Sequence, residues 1–119
     1  MSTHASVRQS GGVAIVDVSG PITLGEGTGL VRAKIKELVA NGHKDILVNL
    51  QNVGYIDSAG LGELVGAYAS VSNLGGHIKL LNVAGRVNDL LQVTKLYTVF
   101  ETFSNEAAAL SSFSATATA

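Results

Sequence analysis

The stretch Val13-Ala14-Ile15-Val16-Asp17-Val18 limits what this chain can fold into more than any other. In a strand, successive side chains point to opposite faces. Val13, Ile15 and Asp17 therefore share one face, and Ala14, Val16 and Val18 share the other. Apart from Asp17, both sets are apolar. Such a strand belongs inside a sheet that is covered on both sides, which is a layered α/β arrangement. Gly20-Pro21 ends it, because proline cannot donate to a strand ladder. Ahead of it, Ser10-Gly11-Gly12 reads as a tight turn from an antiparallel strand over 7–9.

Helical and extended patterns then alternate along the chain. Val31, Ile35, Leu38 and Val39 recur at helical spacing, with Asn41-Gly42 as the stop. Residues 46–50 read as a second buried strand. Leu61, Leu64, Val65, Tyr68, Val71 and Leu74 form the clearest helical stripe, closed by Gly75-Gly76. A strand is predicted over 77–83. A short helix follows, carrying Val87, Leu90, Leu91 and Thr94. An edge strand is expected over 99–103 and a last helix over 105–113. Helices between strands imply parallel crossovers. The expected fold is a single α/β domain over 1–113, with a mixed, mostly parallel sheet of four to five strands and helices packed against it. Residues 114–119, all Ala, Thr and Ser, are expected to form a frayed, disordered tail.

Composition removes several classes of function. Apolar residues make up 46% of the 119 and charged residues only 14%, against roughly 25% in ordinary globular chains. Much of the surface must therefore be neutral, with apolar area to spare for a partner. A net charge of −1 gives no electrostatic footprint for nucleic acid. The absence of cysteine excludes disulfides and thiolate metal sites. Apolar runs of about four residues fall far short of the ~20 that span a bilayer, so no membrane insertion is expected. No basic-then-apolar leader stands at the start, which makes the cytoplasm the expected location.

The chemistry-bearing segment is Ile56-Asp57-Ser58-Ala59-Gly60-Leu61-Gly62, where a strand gives way to the strongest helix. Reactive and ligand-binding groups favour the carboxyl ends of strands in open α/β sheets. Asp57 or Ser58 could each cap the helix, and no Glu or Gln three residues after Ser58 completes a capping box. A phosphate on Ser58 would lie at a helix N-terminus and add about −1.5 to −2 charges beside Asp57. Catalytic readings have less behind them. Ser58 lacks the Gly-x-Ser-x-Gly setting of hydrolases, and His4, His43 and His77 all have ordinary surface readings. Gly25-Glu26-Gly27-Thr28-Gly29 lacks the Gly-Lys-Ser/Thr ending of a phosphate-binding loop. No His and carboxylate group has metal-ligand spacing, so neither cofactor nor metal is expected.

The chain resembles the anti-sigma factor antagonists of the STAS domain superfamily. The likeness rests on Ile56 to Gly62, Leu64-Val65, Ala67-Tyr68, Gly75 to Val83, Leu90 to Leu96, Val99-Phe100 and Glu106 to Leu110. The resemblance implies a binding protein and not an enzyme. Its unphosphorylated form would hold a serine-kinase anti-sigma factor and release the sigma factor. Phosphorylation of Ser58 would end that binding, and a serine phosphatase would reset it. The implied partner surface is Asp57, Ser58, Ala59, Gly60 and Leu61, with Pro21, Ile22 and Thr23 from the preceding loop, on a monomer or weak dimer. Gly60 would permit close backbone approach. Leu61 could serve either core or contact. The chain departs from the family's pattern at Ala84-Gly85-Arg86, where many relatives carry proline, and in the loop from Gly20 to Thr23, where acidic residues are common. The alternatives are a scaffold role in a stressosome-like assembly, a subunit of a lipid-transport system, and a small hydrolase built on Ser58.

Overall fold

The computed structural model describes residues 3–24 and 28–118. Two strands, β1 (His4–Ser10) and β2 (Val13–Ser19), pair antiparallel through the Gly11-Gly12 turn. Both glycines have positive φ, at 55° and 85°, the backbone that a two-residue hairpin turn demands. Then come α1 (Thr28–Ala40), β3 (Asp45–Asn52), α2 (Ser58–Asn73), β4 (His77–Leu81), α3 (Gly85–Thr94), a 3-10 turn (Leu96–Thr98), β5 (Thr102–Phe103) and α4 (Glu106–Thr118). The five strands lie side by side in chain order, and every pairing after the first is parallel.

That strand order decides where the helices go. Right-handed crossovers between successive parallel neighbours all rise on the same side of a sheet. Accordingly Val31 and Ile35 of α1, Leu61 and Leu64 of α2, and Val87 and Leu91 of α3 share one core with Ala14, Val16, Val48 and Leu80. The opposite face of β2 to β4 offers Val13, Ile15, Leu47 and Leu81, and α4 covers it with Ala109 and Phe113. The two-sided strand predicted over 13–19 is therefore found, with a helical layer on each side.

A single helix cannot shield that second face alone, and polar side chains complete it. Arg8 reaches Asp17 at 2.5 Å and Glu106 of α4 at 2.9 Å. Asn49 donates to Asp17 at 2.8 Å, and Asn82 donates to Asn49 at 3.0 Å. Lys79, only 3% exposed, lies under α4. Its Nζ donates to the Ser112 carbonyl at 3.2 Å and stands 4.7 Å from the Phe113 ring centroid.

Three boundaries differ from the hydropathy reading. β4 stops at Leu81 because Asn82 turns into the left-handed region at φ 61° while its N–H pairs with Phe103. Val99 and Phe100 are not strand. Their amides donate back to Leu96 in the 3-10 turn, and Phe100 is buried edge-on against Tyr68 at 5.4 Å. Helix α4 continues to Thr118 instead of ending at Phe113. Ser114 to Thr118 contain neither glycine nor proline, and alanine is the strongest helix former.

Truncating Phe113 to alanine should expose how far the second face depends on α4. Urea unfolding of Phe113→Ala is expected to show a loss of about 3–5 kcal/mol.

Candidate functional site

Tyr55-Ile56-Asp57-Ser58 carries the chain from β3 into α2, and backbone pairing with the segment after β2 holds it there. Ile22 and Ile56 form a parallel bridge. The Ile22 N–H donates to the Tyr55 carbonyl at 3.0 Å, and the Asp57 N–H donates to the Ile22 carbonyl at 3.3 Å. Together these bonds extend the β2–β3 pairing past the ends of both strands. Pro21 to Leu24 is thereby brought against the start of α2.

Asp57 settles the capping question left open by the sequence. Its backbone is extended, at φ −104° and ψ −179°, and its side chain caps α2. Oδ1 accepts from the Gly60 N–H at 2.8 Å. Oδ2 accepts from the Leu24 N–H at 3.1 Å, across to the other loop. One carboxylate therefore both caps the helix and latches the loop. These two amides, Gly60 foremost, hold its carboxyl below the usual carboxylate range.

Gly60 fills the narrowest point. It is buried, and a Cβ there would overlap the Ile22 carbonyl oxygen. The close approach expected at Gly60 is thus made to the chain's own loop. Gly62, two residues on, has open space where a Cβ would stand.

Ser58 is the first residue of α2 and is exposed. Among the described residues its hydroxyl has no hydrogen-bond partner. Ala59 is half-buried beside it, as are Pro21 and Thr23 in the loop. Two of the expected contact positions have buried side chains. Ile22 is fully buried and Leu61 is 3% exposed, so neither side chain is presented at the surface. Their apolar groups hold the loop and helix in place from below.

Three exposed groups surround the junction. Leu24 is 78% exposed although its amide is latched. Tyr55 is 43% exposed, and the Arg86 guanidinium sits over its ring at 5.2 Å. Arg86 is 31 positions from Tyr55 in the chain, and the parallel pairing of β3 with β4 brings the segments after their carboxyl ends together. Of the segment 25–29 considered for nucleotide binding, 25–27 lie outside the described residues and Thr28 and Gly29 begin α1. His43 stands 3.3 Å from Gln9 and His77 3.1 Å from Asp45, which gives both a surface role. No cluster of His and carboxylates suited to a metal occurs among the described residues.

Two measurements test this geometry. Gly60→Ala should cost about 1–3 kcal/mol or more through overpacking, whereas Gly62→Ala should be neutral or stabilising by about 0.5–1 kcal/mol; paired chemical denaturation decides it. The depressed Asp57 pKa gives the second test. Its stabilisation is present above the ordinary value of about 4 and is lost as pH falls through the lower folded value. Asp57→Asn should therefore show a shallower loss of stability than the parent between neutral pH and pH ~3.

Comparisons with known proteins bear on the fold and the family. The STAS domain family model matches residues 4–109. The anti-sigma-B factor antagonist of Bacillus subtilis is 31% identical over 101 residues, which covers 85% of this chain and 91% of the relative. Among solved structures, an anti-sigma factor antagonist from Mycobacterium paratuberculosis superposes with a TM-score of 0.84 at 21% identity, covering 94% of each chain. The Bacillus cell fate determinant SpoIIAA in its phosphorylated form superposes with a TM-score of 0.70 at 19% identity, covering 91% of this chain and 97% of that one. Matched over residues 4–109 by that family model, the chain belongs to the STAS domain family, the family of the anti-sigma factor antagonists.

Proposed function

We propose that the protein is an anti-sigma factor antagonist that works by partner switching, with Ser58 as its phosphoacceptor. The observation that carries this reading is the division of work at the junction. Asp57 supplies both cap and latch, so the neighbouring Ser58 hydroxyl is exposed and structurally uncommitted. The relative with 31% identity is named for antagonism of an anti-sigma factor. SpoIIAA, which shares the fold, exists in a phosphorylated form. Relatives of this kind are regulatory binding proteins, and this chain is read as one of them and not as an enzyme.

In this reading the unmodified protein offers Pro21, Thr23, Asp57, Ser58 and Ala59, supported by Ile22, Gly60 and Leu61, to a serine-kinase anti-sigma factor in the cytoplasm. Phosphate on Ser58 adds about −1.5 to −2 charges next to a carboxylate that is already ionised. On a surface with few charges, that change turns a contact with a single negative charge into a strongly anionic one. Partner release then follows from like-charge repulsion and from the cost of desolvating the phosphate. A serine phosphatase restores binding. Among the described residues no helix is long and apolar enough to cross a membrane.

The test is incubation with ATP and the serine kinase recovered by pull-down. Mass spectrometry should place phosphate on Ser58, and the modified protein should leave the complex. Ser58→Ala should remain bound, with stability within about 0.5 kcal/mol of the parent, because the cap belongs to Asp57. An unchanged dissociation constant after stoichiometric phosphorylation of Ser58 would refute the switch. Constitutive assembly into large particles would favour the scaffold role instead.

A further inference from the structure

Helices α1 and α2 pack side by side on the same face of the sheet, and a groove of about 580 Å³ runs between their outer sides. That volume lies within the roughly 300–1,000 Å³ of small-molecule sites. Its floor is apolar, made by the buried side chains of Ile35, Ala67 and Val71. Gly66 opens it further, since a Cβ there would meet nothing within 4 Å. Glycine inside a helix is destabilising relative to alanine, and among the described residues no close contact calls for it at this position.

Charge is graded along the groove. Arg32 stands at one end and Lys36 one turn of α1 further along, about 6 Å away, while Ala40 and the half-exposed Leu74 mark the other end. Among the described residues no carboxylate lines it. Glu63 meets Arg32 at 3.5 Å at its edge, an exposed pair of the kind that yields readily to a competing anion. From Arg32 to Ala40 the groove spans about 12 Å, at 1.5 Å per helical residue.

From this gradient we propose that the α1–α2 groove binds an amphiphilic anion, a straight-chain carboxylate of which about nine carbons fit within the groove at ~1.5 Å per carbon–carbon bond. The carboxylate lies at Arg32 and Lys36, and the chain runs over Ala67 and Val71 toward Leu74. A second copy of the protein fits less well. A two-fold contact through this groove buries the same lining from both copies, and among the described residues that lining holds no carboxylate to pair with Arg32 and Lys36. The inference does not depend on the phosphorylation of Ser58.

Titration of the full chain with sodium dodecanoate below its micelle-forming concentration, followed by amide NMR, tests the proposal. Saturable shifts should cluster on the facing sides of α1 and α2, and dodecyltrimethylammonium should bind about tenfold more weakly or less. Lys36→Glu should weaken dodecanoate by about three- to tenfold. Gly66→Leu, which fills open space and suits a helix, should keep the fold and abolish saturable binding. Undiminished binding by Gly66→Leu, equal affinity for the cationic amphiphile, or shifts centred on Ser58 would overturn the proposal. So would concentration-dependent dimerisation lost in Gly66→Leu, which would make a second copy the occupant.

Discussion

Ile15 and Leu47 face α4, Val16 and Val48 face α1 and α2, and all four are fully buried. This two-sided burial of neighbouring parallel strands requires a helical layer above and below. Sequential strand order then forces an unequal division, with three helices on one side and one on the other. The unequal division explains the polar side chains on the α4 face. Arg8, Asp17, Asn49 and Asn82 satisfy one another where apolar cover is missing, and Lys79 is stitched to Ser112.

The same topology assembles the site. Because β2 and β3 are parallel neighbours, the segments leaving their carboxyl ends meet, and the Ile22–Ile56 bridge carries their pairing into the loops. Gly60 can sit against the Ile22 carbonyl only because it lacks a Cβ. Asp57 then joins helix and loop through one carboxylate. An acidic residue committed to structure beside a serine with no structural task is the arrangement that the proposed switch needs. Modification can alter the surface charge there without dismantling the cap.

Fold class was legible because the patterns are strong. The apolar alternation on both faces of 13–18 and the stripe from Leu61 to Leu74 leave little choice of element, and β2 falls on the predicted bounds. Weak patterns failed for identifiable reasons. Val99 and Phe100 have strand composition, but burial of Phe100 against Tyr68 and return bonds to Leu96 make them part of a turn. The Ala-rich end reads as low complexity, yet the same alanines favour helix.

By itself the sequence determined the alternation of elements, the two-sided central strand and the position of Asp57-Ser58 at a strand-to-helix junction, because periodicity and local chemistry are properties of neighbouring residues. Tertiary structure alone decided the rest. It gave the cap to Asp57 rather than Ser58, sent Ile22 and Leu61 into the core, and tied Leu24 to Asp57 across 33 positions. It also stacked Arg86 on Tyr55 and opened the groove between α1 and α2. These outcomes depend on which strands become neighbours, and a one-dimensional pattern does not carry that information.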